Sequence, residues 1–176
     1  MKHHHASRIA TFLVLTVTTA PSIAATSAVS PSSFLITHTA ELSAPPAAAY
    51  AALGEIGKWW NGAHTYSGNA ANLSLDLRAG GCFCEQWEQG SSVEHARVIY
   101  AARDKALRLE GGLGPLQELA VAGVMTFALT VVEGKTTLTF TYRVRGAEAG
   151  LDKAAPVVDK VLGEQVTRFA AYVNAR

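Results

Sequence analysis

The sequence predicts a single α+β domain in which a curved antiparallel sheet packs around one long C-terminal helix. Two observations carry this. A run of short segments with alternating apolar and polar residues, separated by Gly-rich or polar turns, fills the middle of the chain. The last part, 152–175, then switches to three- and four-residue apolar spacing, the mark of an amphipathic helix.

Length and composition set the frame. The 176 residues suffice for one domain with a real core; 49% are hydrophobic and 16% charged, too apolar for a disordered chain. A formal net charge of +1 and the lack of a Lys/Arg stripe give no field to gather polyanions, so nucleic acid is not expected as a partner. At the start, Lys2 and Arg8 precede an uncharged stretch, 9–23, rich in Leu, Val, Thr and Ala, the order of a secretory signal peptide. Small residues permit cleavage after Ala24 or after Ala28, and 29–33 reads as a flexible lead-in. The expectation is a signal peptide over 1–28, a domain over 34–176, and a periplasmic or secreted product with no stable membrane span in its mature form.

Residues 33–43 (SFLITHTAELS) alternate as a first strand, closed by Pro45-Pro46, which can also open a helix. A short helix over 47–53 is rich in Ala and ends at Gly54. The adjacent Trp59 and Trp60 follow in a loop-like context. Strand-length segments come at 71–77, 82–89, 92–101 and 105–111. Two longer ones, 118–132 and 135–144, are joined by the hairpin signal Glu133-Gly134. In the last strand Leu138, Phe140, Tyr142 and Val144 share one face and Thr137, Thr139, Thr141 and Arg143 the other, so one face is buried. The helix stripe comprises Val157, Val158, Val161, Leu162, Gln165, Phe169, Tyr172 and Val173.

The order and register of several strings resemble the START-like (SRPBCC) superfamily, in the branch similar to activators of a heat-shock-chaperone ATPase and to polyketide cyclase/dehydrase-like proteins. They are Ala44-Pro45-Pro46 before Tyr50-Ala51-Ala52-Leu53, then Trp59-Trp60, Ala79-Gly80-Gly81 leading into Phe83 and Glu85, and the 136–141 strand before the helix. The resemblance implies a helix-grip fold, with a cavity between sheet and helix that in relatives holds lipids, sterols, polyketides or other hydrophobic molecules. Cys82 and Cys84 stand where relatives tend to carry polar or basic residues, and the export signal separates this chain from a cytosolic chaperone.

Alternation places Phe83, Glu85 and Trp87, Met125 and Phe127, and Phe140 and Tyr142 on the concave face, closed by Phe169 and Tyr172. With Trp59 and Trp60 as lid, these are the candidate ligand-binding residues; the alternative is that the apolar ones simply fill the core. Glu85, between two aromatic neighbours, is expected inside with a raised pKa and is the candidate acid/base. A one-residue slip in phase would turn it to solvent. His95 and Arg97 point outward if Ala96, Val98 and Tyr100 are buried; in the opposite phase His95 and Glu85 form a pair. Segment 111–116 is a candidate gate.

The two cysteines, at i and i+2 on one strand face, have Cα atoms about 6.5 Å apart, and parallel Cβ vectors disfavour a bond, so two thiols are the preferred reading over a labile or intermolecular disulfide. Neither a zinc site nor any other metal or cofactor is expected; segment 111–116 lacks the GxGxxG and GK[ST] patterns of a phosphate loop, and no GxSxG or HExxH motif occurs. Three functions follow in order: an exported carrier of a small hydrophobic molecule, a cyclase or dehydratase using Glu85, with Tyr142 or Tyr172 as hydroxyl partners, and a module for an unidentified protein partner.

Overall fold

A computed structural model describes residues 25–147 and 150–176. Among the described residues, eight antiparallel strands form one curved sheet. In chain order they are β1 (Ala25–Ser30), β2 (Ser33–Leu42), β3 (Leu73–Leu75), β4 (Cys82–Gln86), β5 (Ser92–Ala102), β6 (Ala106–Glu110), β7 (Ala122–Val132) and β8 (Lys135–Arg145). Their spatial order is β1-β2-β8-β7-β6-β5-β4-β3. The helices are α1 (Pro46–Leu53), α2 (Ile56–Trp59) and α3 (Leu151–Asn174), and α3 lies in the concave side of the sheet. This is the helix-grip plan. No helix among the described residues is long and apolar enough to cross a membrane.

Local chemistry accounts for the elements. Pro46 supplies a ready-made φ in the first turn of α1, and Gly54 caps its end. The Glu133-Gly134 hairpin takes positive φ at both residues, as a tight two-residue turn between twisted strands requires. In β8, Leu138, Phe140, Tyr142 and Val144 are all buried, as the alternation predicts. Opposite them on α3 lie Leu162, Val166, Phe169 and Val173.

Several sequence expectations are revised. Residues 29–30, read as part of a lead-in, belong to the edge strand β1, where Ser30 pairs with Ser33 of β2. The segment 71–77 shortens to β3 after a 3-10 turn at Ala70–Asn72, and 118–121 precede β7 instead of belonging to it. Tyr100 is exposed, because a register shift between Val98 and Tyr100 against β6 turns it off the buried face.

At Gly163, α3 packs close against β2. His38 on β2 is buried and lies 2.9 Å from Asp159 of α3, and a Cβ at residue 163 would come within 2.7 Å of the His38 ring. Gly163→Ala would ordinarily stabilise a helix by about 1 kcal/mol. Here overpacking should reverse the sign and cost about 2 kcal/mol. Urea unfolding of the variant checks this; a rise in midpoint would mean that His38 gives way without cost.

Candidate functional site

The concave interior contains almost no free space. Between Trp59, Phe127, Leu138, Phe140, Val166 and Phe169 the residual void is ≈ 10 Å³, at most about one water. Trp59 packs edge-on against Phe169 at 5.1 Å and donates its indole N–H to Ala52 O. Trp60 packs on Phe83 and donates to His64 O. Both tryptophans are buried, at the end of α2 and not in an open loop. Phe83, Met125, Phe127, Phe140 and Phe169 are core residues.

The space lies at one end of the grip. A groove of ≈ 620 Å³ opens between the 63–66 segment, the 113–118 segment with its 3-10 turn, and the first half of α3. Val157, Val158 and Val161 of the helix stripe face it, and Leu113, Pro115 and Leu116 stand opposite. Its inner end is Trp60 and His95. Val157, part of the apolar stripe read from the sequence, is 66% exposed. Of the ligand-binding candidates read from the amino-acid pattern, only Trp60 lines this groove.

Tyr142 reaches the groove wall from behind. Its hydroxyl donates to Gly111 O (2.9 Å) and accepts from Leu113 N–H (3.2 Å), and burial pushes its pKa to about 12. The root of the 111–116 segment is therefore held fast, and its tip forms a wall. Tyr172 lies elsewhere: its hydroxyl contacts Glu55 and Arg176, tying the end of α3 to α2's start. Trp87 follows the end of β4, half-buried, and its ring lies parallel to that of Tyr66 at 6.5 Å.

Glu85 and His95 meet beneath the groove. Glu85 is 0% exposed and points inward as expected. His95 joins it because β4 and β5 slip register between Phe83 and Cys84: Ala96 pairs with Phe83 and Glu94 with Cys84, leaving His95 as the extra residue of a bulge. A bulge lets two successive residues face one side. His95 and Ala96 are thus both buried, and neither simple phase of the strand describes them.

Glu85 accepts the backbone N–H of Ser67 (2.5 Å) and of Tyr66 (3.0 Å), and His95 Nε2 lies 3.1 Å from its second oxygen. Burial pushes the carboxyl up, but hydrogen bonds from Ser67, Tyr66 and His95 together outweigh it and hold the group below its ordinary value. The raised pKa expected from aromatic neighbours is therefore reversed. Burial lowers the His95 pKa, and the attraction of Glu85 offsets this only in part. At neutral pH the pair is a carboxylate beside a neutral imidazole. An ionised carboxylate only accepts, so the proton is assigned to Nε2, and Nδ1 is left as an acceptor. Glu85 has no contact with the groove; it positions His95, which has.

Cys82 and Cys84 are joined in a disulfide, with Cα atoms 5.3 Å apart. This replaces the two-thiol reading: the two Cα atoms stand closer than the about 6.5 Å of a regular strand. The ligand atoms of Cys82, Cys84 and Glu94 lie within 4.8 Å of one another, but sulfurs bonded to each other present no thiolate to a cation.

No family model matches the sequence, and no curated protein matches it either. Solved structures do match in shape. Protein MLL2253 from Mesorhizobium loti has a TM-score of 0.55 at 15% identity, covering 78% of this chain and 94% of its own. CalU16 from Micromonospora echinospora gives 0.57 at 11%, covering 87% and 83%. The Aha1 dimer from Colwellia psychrerythraea gives 0.54 at 16%, covering 80% and 96%. At these identities the likeness is one of fold, the helix-grip fold.

Proposed function

We propose that this protein is an exported carrier of a small, largely apolar molecule bearing one hydrogen-bond donor, held in the groove with the donor on His95 Nδ1. The observation that carries the reading is an apolar groove of ≈ 620 Å³ with a neutral imidazole, oriented by a buried carboxylate, at its inner end. Ligand sites of about this size combine apolar walls with a few placed polar groups. Val157, Val158 and Val161 supply the wall, Val157 exposed and the other two partly buried.

A second reading is favoured by the same pair. An imidazole whose Nε2–H is fixed by a carboxylate has the arrangement of a general base, so the groove also suits proton abstraction from a bound molecule, with Glu85 as positioning residue. His95→Phe distinguishes the two: a carrier should still take up apolar molecules lacking the donor, whereas an enzyme should lose turnover altogether.

The binding test uses 1-anilinonaphthalene-8-sulfonate fluorescence and native mass spectrometry against a panel of phenols and hydroxylated lipids. Val157→Arg is expected to weaken uptake at least about tenfold by placing a charge in the apolar wall. Because Val157 is exposed, stability should change by no more than about 0.5 kcal/mol. Equal uptake by both proteins would remove the groove from consideration.

Export has its own test. Cleavage after Ala24 would leave β1 whole, whereas cleavage after Ala28 would leave only Val29 and Ser30 of it. The expected result is a mature chain beginning at Ala25 in the envelope fraction, by intact mass; an unprocessed cytosolic chain would overturn the assignment.

A further inference from the structure

We propose that Cys82–Cys84 is a thiol–disulfide exchange site, independent of the groove, whose redox partner is a dithiol. The pair lies on the convex face of β4, since its neighbours Phe83 and Glu85 are the buried ones. Both cysteines are partly exposed, and Cys84 is flanked by Ser74 on β3 and Glu94 on β5, both exposed. An incoming thiolate therefore reaches the sulfurs without the sheet opening.

A stapling role does not account for the bond. Disulfides stabilise chiefly by closing long loops in the unfolded chain, and this one spans a sequence separation of only two, within a strand already fixed by hydrogen bonds on both sides. Its surroundings are also polarised. Cys82 stands opposite Arg97 and Cys84 opposite Glu94 in the strand register, the guanidinium and carboxylate contact each other, and the carboxylate lies within 4.8 Å of both sulfurs. A neighbouring cation stabilises a thiolate and a neighbouring carboxylate opposes one. The carboxylate is shared by both sulfurs, so it is Arg97, paired with Cys82, that favours Cys82 as the leaving thiolate.

The step balances without any further reactant. One thiolate of the dithiol attacks Cys84 Sγ, forming a mixed disulfide while the Cys82–Cys84 bond breaks and Cys82 departs as a thiolate. The dithiol's second thiolate then attacks its own sulfur in that mixed disulfide and releases Cys84. Two electrons pass to the protein, and the dithiol leaves as its disulfide. The reverse sequence reduces an external disulfide.

The test treats the folded protein with dithiothreitol, with alkylation and mass analysis of the cysteines and circular dichroism recorded throughout. Reduction under native conditions with the spectrum unchanged is expected. Arg97→Ala should slow it roughly threefold, as a leaving thiol of higher pKa leaves more slowly, and Arg97→Lys should restore the rate. With glutathione in place of the dithiol, the trapped mixed disulfide should map to Cys84. A bond that yields only in denaturant, a reduction that unfolds the domain, an unchanged rate in Arg97→Ala, or a mixed disulfide on Cys82 would each overturn the assignment.

Discussion

Glu85→Leu is expected to lower stability by about 3 kcal/mol, because three donors lose their acceptor at once and each buried unsatisfied group costs about 1–3 kcal/mol. Those donors are Ser67 N–H, Tyr66 N–H and His95 Nε2–H. Tyr66 belongs to the segment that walls the groove and Ser67 directly follows it, so the loss should be concentrated there. Hydrogen exchange at Tyr66 and Ser67 should accelerate, and urea unfolding should report the total. Glu85→Gln keeps the shape and one acceptor and should lie between. A variant as stable as the parent would show that these contacts are replaced by water at no cost.

The same pair sets an acid limb. Glu85 has a folded pKa below its ordinary value of 4.5, so its contribution is complete above that pH and is lost as pH falls through the lowered value. His95 also titrates lower in the folded state than its ordinary 6.5; the unfolded chain takes up the proton first, and stability declines as pH falls below 6.5. The melting temperature should thus fall in two stages, the upper one absent in His95→Phe and the lower one absent in Glu85→Gln.

Trp59→Ala is expected to cost about 4 kcal/mol, in the range for removing a buried large aromatic side chain. Trp59 is 2% exposed, its ring meets Trp60 at 5.7 Å and Phe169 at 5.1 Å, and Ala52 O accepts its N–H. Around it almost no free volume exists to absorb a change. A tryptophan serving as a mobile lid would behave otherwise, with a stability change of no more than about 0.5 kcal/mol and a large effect on ligand uptake. Chemical denaturation and probe binding on the same variant therefore decide between core and lid. The reverse pattern is expected for Val157→Arg.

What could be read from the chain follows from periodicity. The inner face of β8, the inward turn of Glu85 and the span of α3 each depend on a repeat contained within one element. Residues 157, 158 and 161 also stood out as part of the α3 stripe, but as core, since a stripe does not disclose whether anything covers its first half. The groove arises because the sheet's curvature leaves that end of α3 facing two loop segments, 63–66 and 113–118, which carry no periodic signal. Tyr172 lay on the predicted stripe yet turns to Glu55, because Glu55 offers its hydroxyl an acceptor at the helix end.

By itself, then, the sequence determined the α+β plan, the run of strands from β2 onward before one long helix, and core faces such as that of β8, because those properties are set by side-chain spacing within single strands and helices. Only the tertiary structure decided that His95 reaches Glu85, that Cys82 bonds to Cys84 and that the open space lies beside α3 and not in the middle of the grip. All three depend on how neighbours meet. A bulge is one residue gained by β5 relative to β4, a quantity that belongs to the pair of strands and is written in neither alone.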